Sequence, residues 1–322
     1  MILWLTPPKS LEVAKYIECY WLLERTVDVK GNEHPKLNPD PSAHLILSPP
    51  NQMYRYEING EIYQGTGSHL LYPYCKTLQL DHSKPLVCLG IKFHVGALYS
   101  LNHNNAVQPL LDTVSALNTG EIQCPFQDAN QDANQDANQV NEILALAKDQ
   151  PDKCNEKLDQ LLTPWLLKSV EDRHSELTRK ILPLLVTKPI NELGNILQCS
   201  QRTIERSFSK VTGITLKQYH SMQRLEAMLD YVHQVEASDI NWSDIALTFG
   251  FSDQPHLIRY LKSTLESIQE LPSESFAANV KTVTVFLKNQ KANADHEVKF
   301  QSLEHEASGD WVPRTEQTCQ QT

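Results

Sequence analysis

The sequence contains no apolar run that approaches the roughly 18–20 residues needed to span a bilayer. Its beginning, MILWLTPPKS, lacks the basic segment and the long apolar run of a secretory signal peptide. Seven cysteines are scattered over 322 residues, with no CxxC pair and no regularly spaced histidine partners. These absences predict a cytoplasmic protein whose thiols are reduced, with neither a disulfide framework nor a zinc site.

Sequence motifs of common enzymes are also missing. No GxSxG, HExxH or phosphate-binding glycine loop occurs, and Gly65-Thr66-Gly67 alone indicates only a turn. Five histidines in the N-terminal half could suggest a metal-binding barrel but lack its His-x-His spacing; they are His44, His69, His82, His94 and His103. We therefore expect no enzymatic activity, no metal and no cofactor, and keep a metal enzyme only as an alternative.

The net charge of −10 argues against DNA binding if it is taken over the whole chain. DNA binding depends on local positive charge, however, rather than on the global balance. Between residues 201 and 217 the single acidic residue Glu205 stands against four basic ones, Arg202, Arg206, Lys210 and Lys217. This stretch therefore favours DNA locally, and we expect a modest, salt-sensitive affinity.

Residues 190–219 have the pattern of two short helices joined by a tight turn. Ser200 is expected to cap the second helix and Gly213 to end it, since glycine tolerates the left-handed conformation. That helix would bury Ile204, Phe208 and Val211. Its outward face would present Gln201, Arg202, Thr203, Arg206, Ser209 and Lys210. Such side chains bond base edges or phosphates, which favours a DNA-binding helix-turn-helix over an ordinary helical hairpin.

A second copy of the same pattern follows. Leu216–Gln234 is predicted as a long helix, and Trp242–Phe249 and Asp253–Leu265 as another helical pair, with Gly250 at the turn and Ser252 or Asp253 as the cap. The outward residues of the last helix are Gln254, His256, Arg259 and Lys262. A 19-residue linker helix is about 28 Å long. It could therefore hold two recognition helices about 34 Å apart, one turn of B-DNA.

The first hundred residues are rich in short β-prone runs. Asn59-Gly60 lies between Gln52–Ile58 and Glu61–Gln64, the strongest short signal for a hairpin. Further strands are expected at His44–Ser48, His69–Leu80 and Leu86–His94. Such a pattern predicts a sandwich or a small barrel, a fold that often encloses a ligand pocket. Candidate pocket residues are Tyr16, Trp21, Tyr72 and Phe93, although strand aromatics more often pack a core.

The middle of the chain reads as helical, with one exception. Helices are expected at Val95–Leu117, Val140–Lys148, Asn155–Val170 and Leu177–Leu185. Gln127–Asn138 is QDAN three times over, a polar repeat with no apolar face to bury, and we expect a disordered or frayed insertion there. Near the C-terminus, the alternation of Val280–Leu287 predicts one strand, which would add to the N-terminal sheet.

These patterns predict an α+β protein of two domains, a β-rich barrel or sandwich-like domain with helices and an all-α domain with two helix-turn-helix units. The predicted divisions are a sensor or dimerisation domain at 1–120, a low-complexity linker at 121–139, a helical connector at 140–172, a DNA-binding domain at 173–272 and a tail at 273–322.

Residues 175–265 resemble the DNA-binding domain of the AraC/XylS family of transcription regulators. The matching runs are Ser200–Gly213 (SQRTIERSFSKVTG), Gln223–Ala227 (QRLEA) and Asp244–Lys262 (DIALTFGFSDQPHLIRYLK). Residues 11–117 also look like an N-terminal domain of some members, most closely in IECYWLLE and LGIKFHVGALYSL. The family's usual Gly, Ser/Thr-Pro and aromatic positions after Lys262 hold Glu266, Ile268-Gln269 and Pro272 here, and Leu216 stands where proline is common.

The resemblance implies a cytoplasmic regulator that binds double-stranded DNA. Arg202 and Arg206 would lie on the first recognition helix, with Gln254, His256 and Arg259 on the second, while Lys210 and Lys217 would meet phosphates. It further implies a small-molecule effector, a homodimer and contact with RNA polymerase, without a membrane. Activation is the expected direction, and repression stays open. The alternative is a ligand-binding or protein-interaction module whose DNA-binding domain has weakened, because the end of the second unit departs from the pattern.

Overall fold

In a computed structural model, the described part of the chain comprises residues 2–26, 32–101, 109–117, 125–126, 133–235 and 240–265. The chain divides into two compact units. The first comprises Met1–Ser175 and Val211–Gly213, and the second comprises Glu176–Lys210 and Ile214–Thr322. Antiparallel sheets lie in the N-terminal part and helices in the C-terminal part, which confirms the predicted α+β class. Within the described ranges no helix is long and apolar enough to cross a membrane.

Among the described residues of the first unit, ten strands build two antiparallel sheets. They are β1 (Ile2–Thr6), β2 (Ile17–Arg25), β3 (Lys36–Leu37), β4 (His44–Leu47), β5 (Met53–Ile58), β6 (Glu61–Thr66), β7 (His69–Leu71), β8 (Leu78–Leu80), β9 (Leu86–Phe93) and β10 (Val114–Ala116). The larger sheet has the order β1-β2-β9-β4-β7-β10, and the smaller has the order β3-β8-β5-β6. The predicted hairpin is confirmed: Asn59 and Gly60 adopt positive φ angles of 52° and 80° between β5 and β6.

Two predictions for this unit are wrong. The single strand expected at His69–Leu80 is two strands, β7 and β8, which belong to different sheets. Pro73 lies between them and has no N–H to donate to a ladder, so pairing stops there. In the described residues of Val95–Leu117, where one helix was expected, the structure has a short helix, α2 (Ala97–Leu101), and the last part of the range is β10 instead. Val114 therefore pairs with Leu71 of β7 rather than lining a helix, because long-range pairing outweighs local helical spacing.

The part of this unit that the structure describes also contains the helices α1 (Leu11–Ala14), α3 (Ala133–Asp149) and α4 (Pro151–Leu166). Pro151 occupies the first turn of α4, where its missing N–H costs nothing. The apolar face of α3 and α4, which includes Leu144, Leu158 and Leu162, packs with Leu89 and Ile91 of β9 in one core. The helices predicted as a connector thus form part of the first unit's core. The QDAN repeat enters α3 at Ala133, and its earlier residues lie outside the described part of the chain.

The remaining helices build the C-terminal unit, except that residues 173–175 and 211–212 belong to the first unit. They are α5 (Arg173–Leu184), a 3₁₀ turn (Ile190–Glu192), α6 (Leu193–Ile196), α7 (Gln201–Thr212), α8 (Leu216–Gln234), α9 (Trp242–Thr248) and α10 (Gln254–Thr264). The bounds of α8 match the prediction. Its apolar residues recur every three or four positions. Leu225, Met228 and Leu229 share a core with Phe251 from the turn between α9 and α10 and with Leu257 of α10. The strand predicted at Val280–Leu287 lies outside the described residues.

Candidate nucleic-acid interface

The turn between α6 and α7 is tight and closed by backbone hydrogen bonds. Gln198 adopts a φ of +52°, and the N–H of Cys199 donates to the carbonyl of Gly194 at 3.1 Å. A Cβ on residue 194 would lie 3.1 Å from the carbonyl oxygen of Cys199, so glycine permits this close approach. Ser200 caps α7 as predicted, since its Oγ accepts from the N–H of Thr203 at 3.2 Å.

The turn between α9 and α10 repeats this geometry. Gly250 adopts a φ of +71°, and the N–H of Phe251 donates to the carbonyl of Ala246 at 2.8 Å. Asp253 caps α10, because its Oδ1 accepts from the N–H of His256 at 2.7 Å. Of the two caps considered for this helix, the structure therefore uses Asp253. Both helical pairs are helix-turn-helix units. Each has one turn residue in the left-handed conformation, Gln198 or Gly250, and the N–H of the next residue donates to the carbonyl five positions back.

The exposed face of α7 carries a stripe of positive charge. Ile204 and Phe208 are fully buried and fix which face of the helix turns inward. Arg202, Arg206 and Lys210 are exposed and lie four residues apart, so they share one face at successive turns. Neither arginine makes a hydrogen bond or an ion pair with another described residue. Their guanidinium groups are therefore available to a partner outside the chain.

Two other predicted contact residues on α7 are engaged within their own helix. The side-chain amide of Gln201 donates to Glu205 Oε1 at 3.1 Å. The hydroxyl of Thr203 pairs with the hydroxyl of Ser200 at 2.8 Å and so belongs to the cap. The structure thus places all the predicted α7 residues on or beside one face but leaves Arg202 and Arg206 as its freest polar groups.

The outward residues of α10 are more constrained. Gln254 is half-buried, and its amide oxygen accepts a hydrogen bond from Ser243 Oγ at 3.1 Å. The His256 ring lies 3.1 Å from Ser252 Oγ through Nδ1 and packs edge-on against Phe251, with the ring centroids 5.3 Å apart. Arg259 is exposed and makes no hydrogen bond or ion pair with another described residue. It is the α10 counterpart of Arg202 and Arg206.

The start of α8 supplies a further exposed cation. Lys217 lies in the first turn of the helix and faces solvent. Thr215 and Gln218 form a capping box there, in which the Thr215 hydroxyl accepts from the Gln218 N–H at 3.1 Å and the Gln218 amide oxygen accepts from the Thr215 N–H at 2.8 Å. The sequence signal for this box is a threonine followed three positions later by a glutamine, and the sequence analysis missed it. The box fixes the backbone of the first turn of α8, which carries Lys217.

Sequence analysis assigned no role to Arg224 beyond its place in a matching run. Its guanidinium carbon lies 4.2 Å from the ring centroid of Phe251 and 5.2 Å from that of Tyr260. Burial lowers the pKa of Arg224 from its ordinary value. Unlike the other arginines of this unit discussed above, it faces the protein. No local sequence pattern predicts this contact, because Arg224 lies on α8 and Phe251 comes only after α9, far along the chain.

The four residues predicted to line a ligand pocket do not converge. Tyr16, Tyr72 and Phe93 are buried in the core that the larger sheet forms with α3 and α4. Tyr16 donates its hydroxyl hydrogen to Glu171 Oε1 at 2.8 Å. Trp21 lies on the opposite face of β2, since side chains alternate along a strand, and it packs 6.3 Å from the ring of His44. The predicted set is thus divided between the two faces of the larger sheet.

The face that bears Trp21 is covered by the smaller sheet. Trp21 pairs with Gly90, Gly90 with Ile46, and Ile46 with His69, which forms one row across four strands. The hydroxyl of Tyr56, from the smaller sheet, meets His69 Nε2 at 2.6 Å. The two sheets therefore face each other there, as in the predicted sandwich.

A charged cluster lies on the same face. His44 Nε2 lies 3.1 Å from Asp40 Oδ2, and Lys92 Nζ lies 3.7 Å from that same oxygen and 3.2 Å from Glu18. Burial alone would raise the pKa of Asp40, but Lys92 and His44 hold it below its usual range. Sequence analysis had noted His44 only as a scattered histidine. Among the described residues no group of His, Cys, Asp and Glu is arranged to hold a metal ion.

The match to a family model agrees with this geometry. Residues 193–273 match the family model described as a helix-turn-helix domain. No curated protein shows a significant match to the sequence. Solved structures with a similar layout include ToxT from Vibrio cholerae. An apo point variant of ToxT is 14% identical with a TM-score of 0.41, covering 80% of this chain and 96% of that one. Wild-type ToxT with an unsaturated fatty acid bound is 11% identical with a TM-score of 0.37, covering 76% and 92%.

Two helix-turn-helix units on one linker helix, together with the match over residues 193–273, define a DNA-binding transcription regulator. Its C-terminal domain is a helix-turn-helix domain of the AraC type, as the resemblance implied.

Proposed function

We propose that this regulator binds a specific DNA site by placing α7 and α10 in successive major grooves, with α7 making most of the base contacts. The observation that carries the proposal is the stripe of Arg202, Arg206 and Lys210, exposed at successive turns of α7. An arginine can bond O6 and N7 of guanine with its two-pronged guanidinium group, and a lysine at the edge of the stripe suits a phosphate.

The linker helix supports the two-groove arrangement. α8 has 19 residues and is therefore about 28 Å long. With the turns at its ends it can separate two recognition helices by about one turn of B-DNA, roughly 34 Å. Arg259 then supplies the second unit's base contact, while Gln254 and His256 contribute less because each is bonded within the unit. Lys217 sits at the N-terminal end of α8 and suits a phosphate between the two grooves.

Selection of bound duplexes from a random-sequence pool tests this arrangement. The full chain should enrich two short motifs whose centres lie about 10 bp apart, one for each recognition helix. The motif of α7 should be the more strongly preferred of the two. Enrichment of one motif alone would show that the second unit does not read DNA, and no enrichment at all would contradict sequence-specific binding.

The N-terminal unit takes a small effector on the face between its two sheets. His44 is 4% exposed, and its Nδ1 makes no hydrogen bond with any other described residue. Buried polar atoms nearly always have a hydrogen-bond partner, so this nitrogen is a natural anchor for a ligand hydroxyl or carboxylate. Lys92, next to it in the charged cluster, favours an acidic ligand group. Such a ligand would act by shifting the population of DNA-binding states.

Thermal denaturation with a panel of small hydroxy acids and carboxylic acids tests the effector site. At least one compound should raise the Tm of the wild-type chain and fail to raise that of His44→Phe. A compound that stabilises both proteins equally would place its site elsewhere, and a panel without any stabilising compound would count against this ligand class. Dimerisation, contact with RNA polymerase and activation of transcription stay predictions that these residues do not test.

A further inference from the structure

A basic residue in a DNA-binding domain usually faces the nucleic acid, but Arg224 faces inward. It lies near the middle of α8, and its guanidinium group stacks over Phe251 at 4.2 Å and approaches Tyr260 at 5.2 Å. Its Nε is buried and makes no hydrogen bond with another described residue. A desolvated guanidinium over an aromatic face gives a strong cation–π contact. Arg224 is therefore engaged in packing within the unit.

The same part of α8 makes a second bond to α10. Tyr260 donates its hydroxyl hydrogen to the backbone carbonyl of Ser221 at 2.9 Å and also pairs with the Ser221 hydroxyl at 2.9 Å. Ser221 and Arg224 are three residues apart, so they lie on one face of α8. We call Ser221, Arg224, Phe251 and Tyr260 the brace, because they join the linker helix to both the turn and the recognition helix of the second unit.

The brace fixes how α10 is rotated about its own axis. Tyr260 points to α8, and its chain neighbour Arg259, about 100° further round the helix, is exposed to solvent. A rotation of α10 that moved Arg259 would have to break the Tyr260 hydrogen bonds and the stacking with Arg224. The contact is specific to arginine, because a lysine ammonium is compact and strongly hydrated and lacks the flat face that stacks on two rings.

We propose that Arg224 is a positioning residue that sets the spacing between the two half-sites this protein recognises. It does so through α10 and makes no DNA contact of its own. The proposal rests on the proposed function, since it needs two recognition helices on one duplex. When Arg224 is replaced, α10 keeps its cap and its buried leucines but loses its fixed orientation on the linker helix. The protein then binds the second half-site at several spacings instead of one.

The test measures binding of the full chain to three kinds of duplex: the α7 half-site alone, both half-sites at the selected spacing, and both half-sites moved by one or two base pairs. Arg224→Met keeps the apolar length of the side chain but loses its charge and flat face. We expect it to bind the single half-site like wild type and the paired site about three- to thirtyfold more weakly, the range to which the free energy of a cation–π contact corresponds. Its affinity should also change less with the spacing between the half-sites than that of wild type.

Arg259→Ala serves as the matched comparison, because it removes an exposed arginine of the same unit. It should weaken binding to the paired site and leave the preferred spacing unchanged. Tyr260→Phe keeps the stacked ring, loses the bonds to Ser221, and should flatten the spacing profile in the same direction as Arg224→Met. If Arg224→Met does not fold, as judged by circular dichroism, Tyr260→Phe carries the test.

An unchanged spacing profile in a folded Arg224→Met or Tyr260→Phe protein would overturn the proposal. Equal weakening of Arg224→Met on all three kinds of duplex, with a smaller dependence on salt, would overturn it as well and assign Arg224 to a phosphate. The wild-type protein alone tests the proposed function: if a second half-site adds nothing to its affinity, the two-groove arrangement fails before any variant is compared.

Discussion

The hydroxyl of Ser243 on α9 donates a hydrogen bond to the side-chain amide oxygen of Gln254 at the start of α10, at 3.1 Å. Glutamine recognises adenine by using its amide oxygen and nitrogen together. Gln254 would have to leave Ser243 to do so. The bond therefore favours unequal roles for the two residues, in which Arg259 makes most of the base contacts of the second unit and Gln254 few.

This asymmetry gives the first prediction. Gln254→Ala should lower the affinity for a duplex with both half-sites by less than about 0.5 kcal/mol. Arg259→Ala should lower it by about 1–3 kcal/mol, as expected for an arginine that bonds a base. Fluorescence anisotropy with a labelled duplex measures both. Lys180→Ala, an exposed cation on α5, controls for the loss of one charge. A larger loss for Gln254→Ala than for Arg259→Ala would show that Gln254 exchanges Ser243 for a base.

The second prediction concerns Arg206. Arg206→Ala should cost about 1–3 kcal/mol on the selected site and relax the base preference at one position, because the side chain is exposed and free to bond a base edge. Arg206→Lys keeps the charge but lacks the fork that bonds guanine at two points, so it should recover little of the preference. Binding measured on duplexes changed one position at a time checks this. Uniform weakening on every duplex would instead make Arg206 a phosphate contact.

The third prediction concerns the packing of the N-terminal unit. A Cβ added at Gly90 would overlap the indole of Trp21, which lies across the strand at this point. Gly90→Ala should therefore lower the free energy of unfolding by about 1–3 kcal/mol, the usual cost of overpacking a core. Urea denaturation followed by tryptophan fluorescence gives the value. The smaller ring in Trp21→Phe should restore part of the loss in the double variant. Additive losses in the two variants would mean that the overlap is relieved elsewhere.

The fourth prediction is a dependence of stability on pH. Burial lowers the pKa of His69 to about 4, from an ordinary value of 6.5. In the folded state its Nδ1 donates to the Gly67 carbonyl at 2.9 Å and its Nε2 accepts from Tyr56, so the ring is neutral. As the pH falls below 6.5, His69 binds a proton in the unfolded chain, whereas in the folded chain it stays neutral until about pH 4. Stability should therefore fall across this window, by up to about 3 kcal/mol for this residue.

The contribution of His69 is isolated by a variant. Burial also lowers the pKa of His82 to about 4, so both histidines act in the same pH window. His69→Gln should be less stable than wild type at pH 7 and should lose less stability between pH 6.5 and 4. Urea denaturation at a series of pH values gives both curves. Parallel curves for the two proteins would mean that His69 is protonated without loss of the fold.

Local patterns in the sequence were sufficient for the DNA-binding unit. The bounds of α8, the Ser200 cap and the turn at Gly250 follow from helical spacing, capping chemistry and the freedom of glycine, all of which act over a few residues. The AraC-type resemblance then gave the class. The Arg224 contact with Phe251 could not be predicted in this way, because it depends on how two helices pack.

The β-rich unit was predicted less completely. The hairpin at Asn59-Gly60 is local and was found, whereas β10 was mistaken for helix because its pairing with β7 joins residues far apart in the chain. The candidate ligand residues failed to converge for a related reason. Alternation along β2 places Trp21 and its neighbour Tyr20 on opposite faces, and only the sheet order shows which face the second sheet covers. The pairing of Asp40, His44 and Lys92 likewise becomes visible only across strands.

The central claim is sequence-specific DNA binding through α7, and one titration tests it most directly. The affinity of the full chain is measured for the selected duplex and for a scrambled duplex of equal length, at low and raised salt, beside a variant that carries both Arg202→Ala and Arg206→Ala. Wild type should prefer the selected duplex at both salt concentrations, and its affinity should fall as salt rises, because phosphate contacts release bound cations. The double variant should lose that preference. Equal affinity of wild type for the two duplexes at every salt concentration would contradict the account.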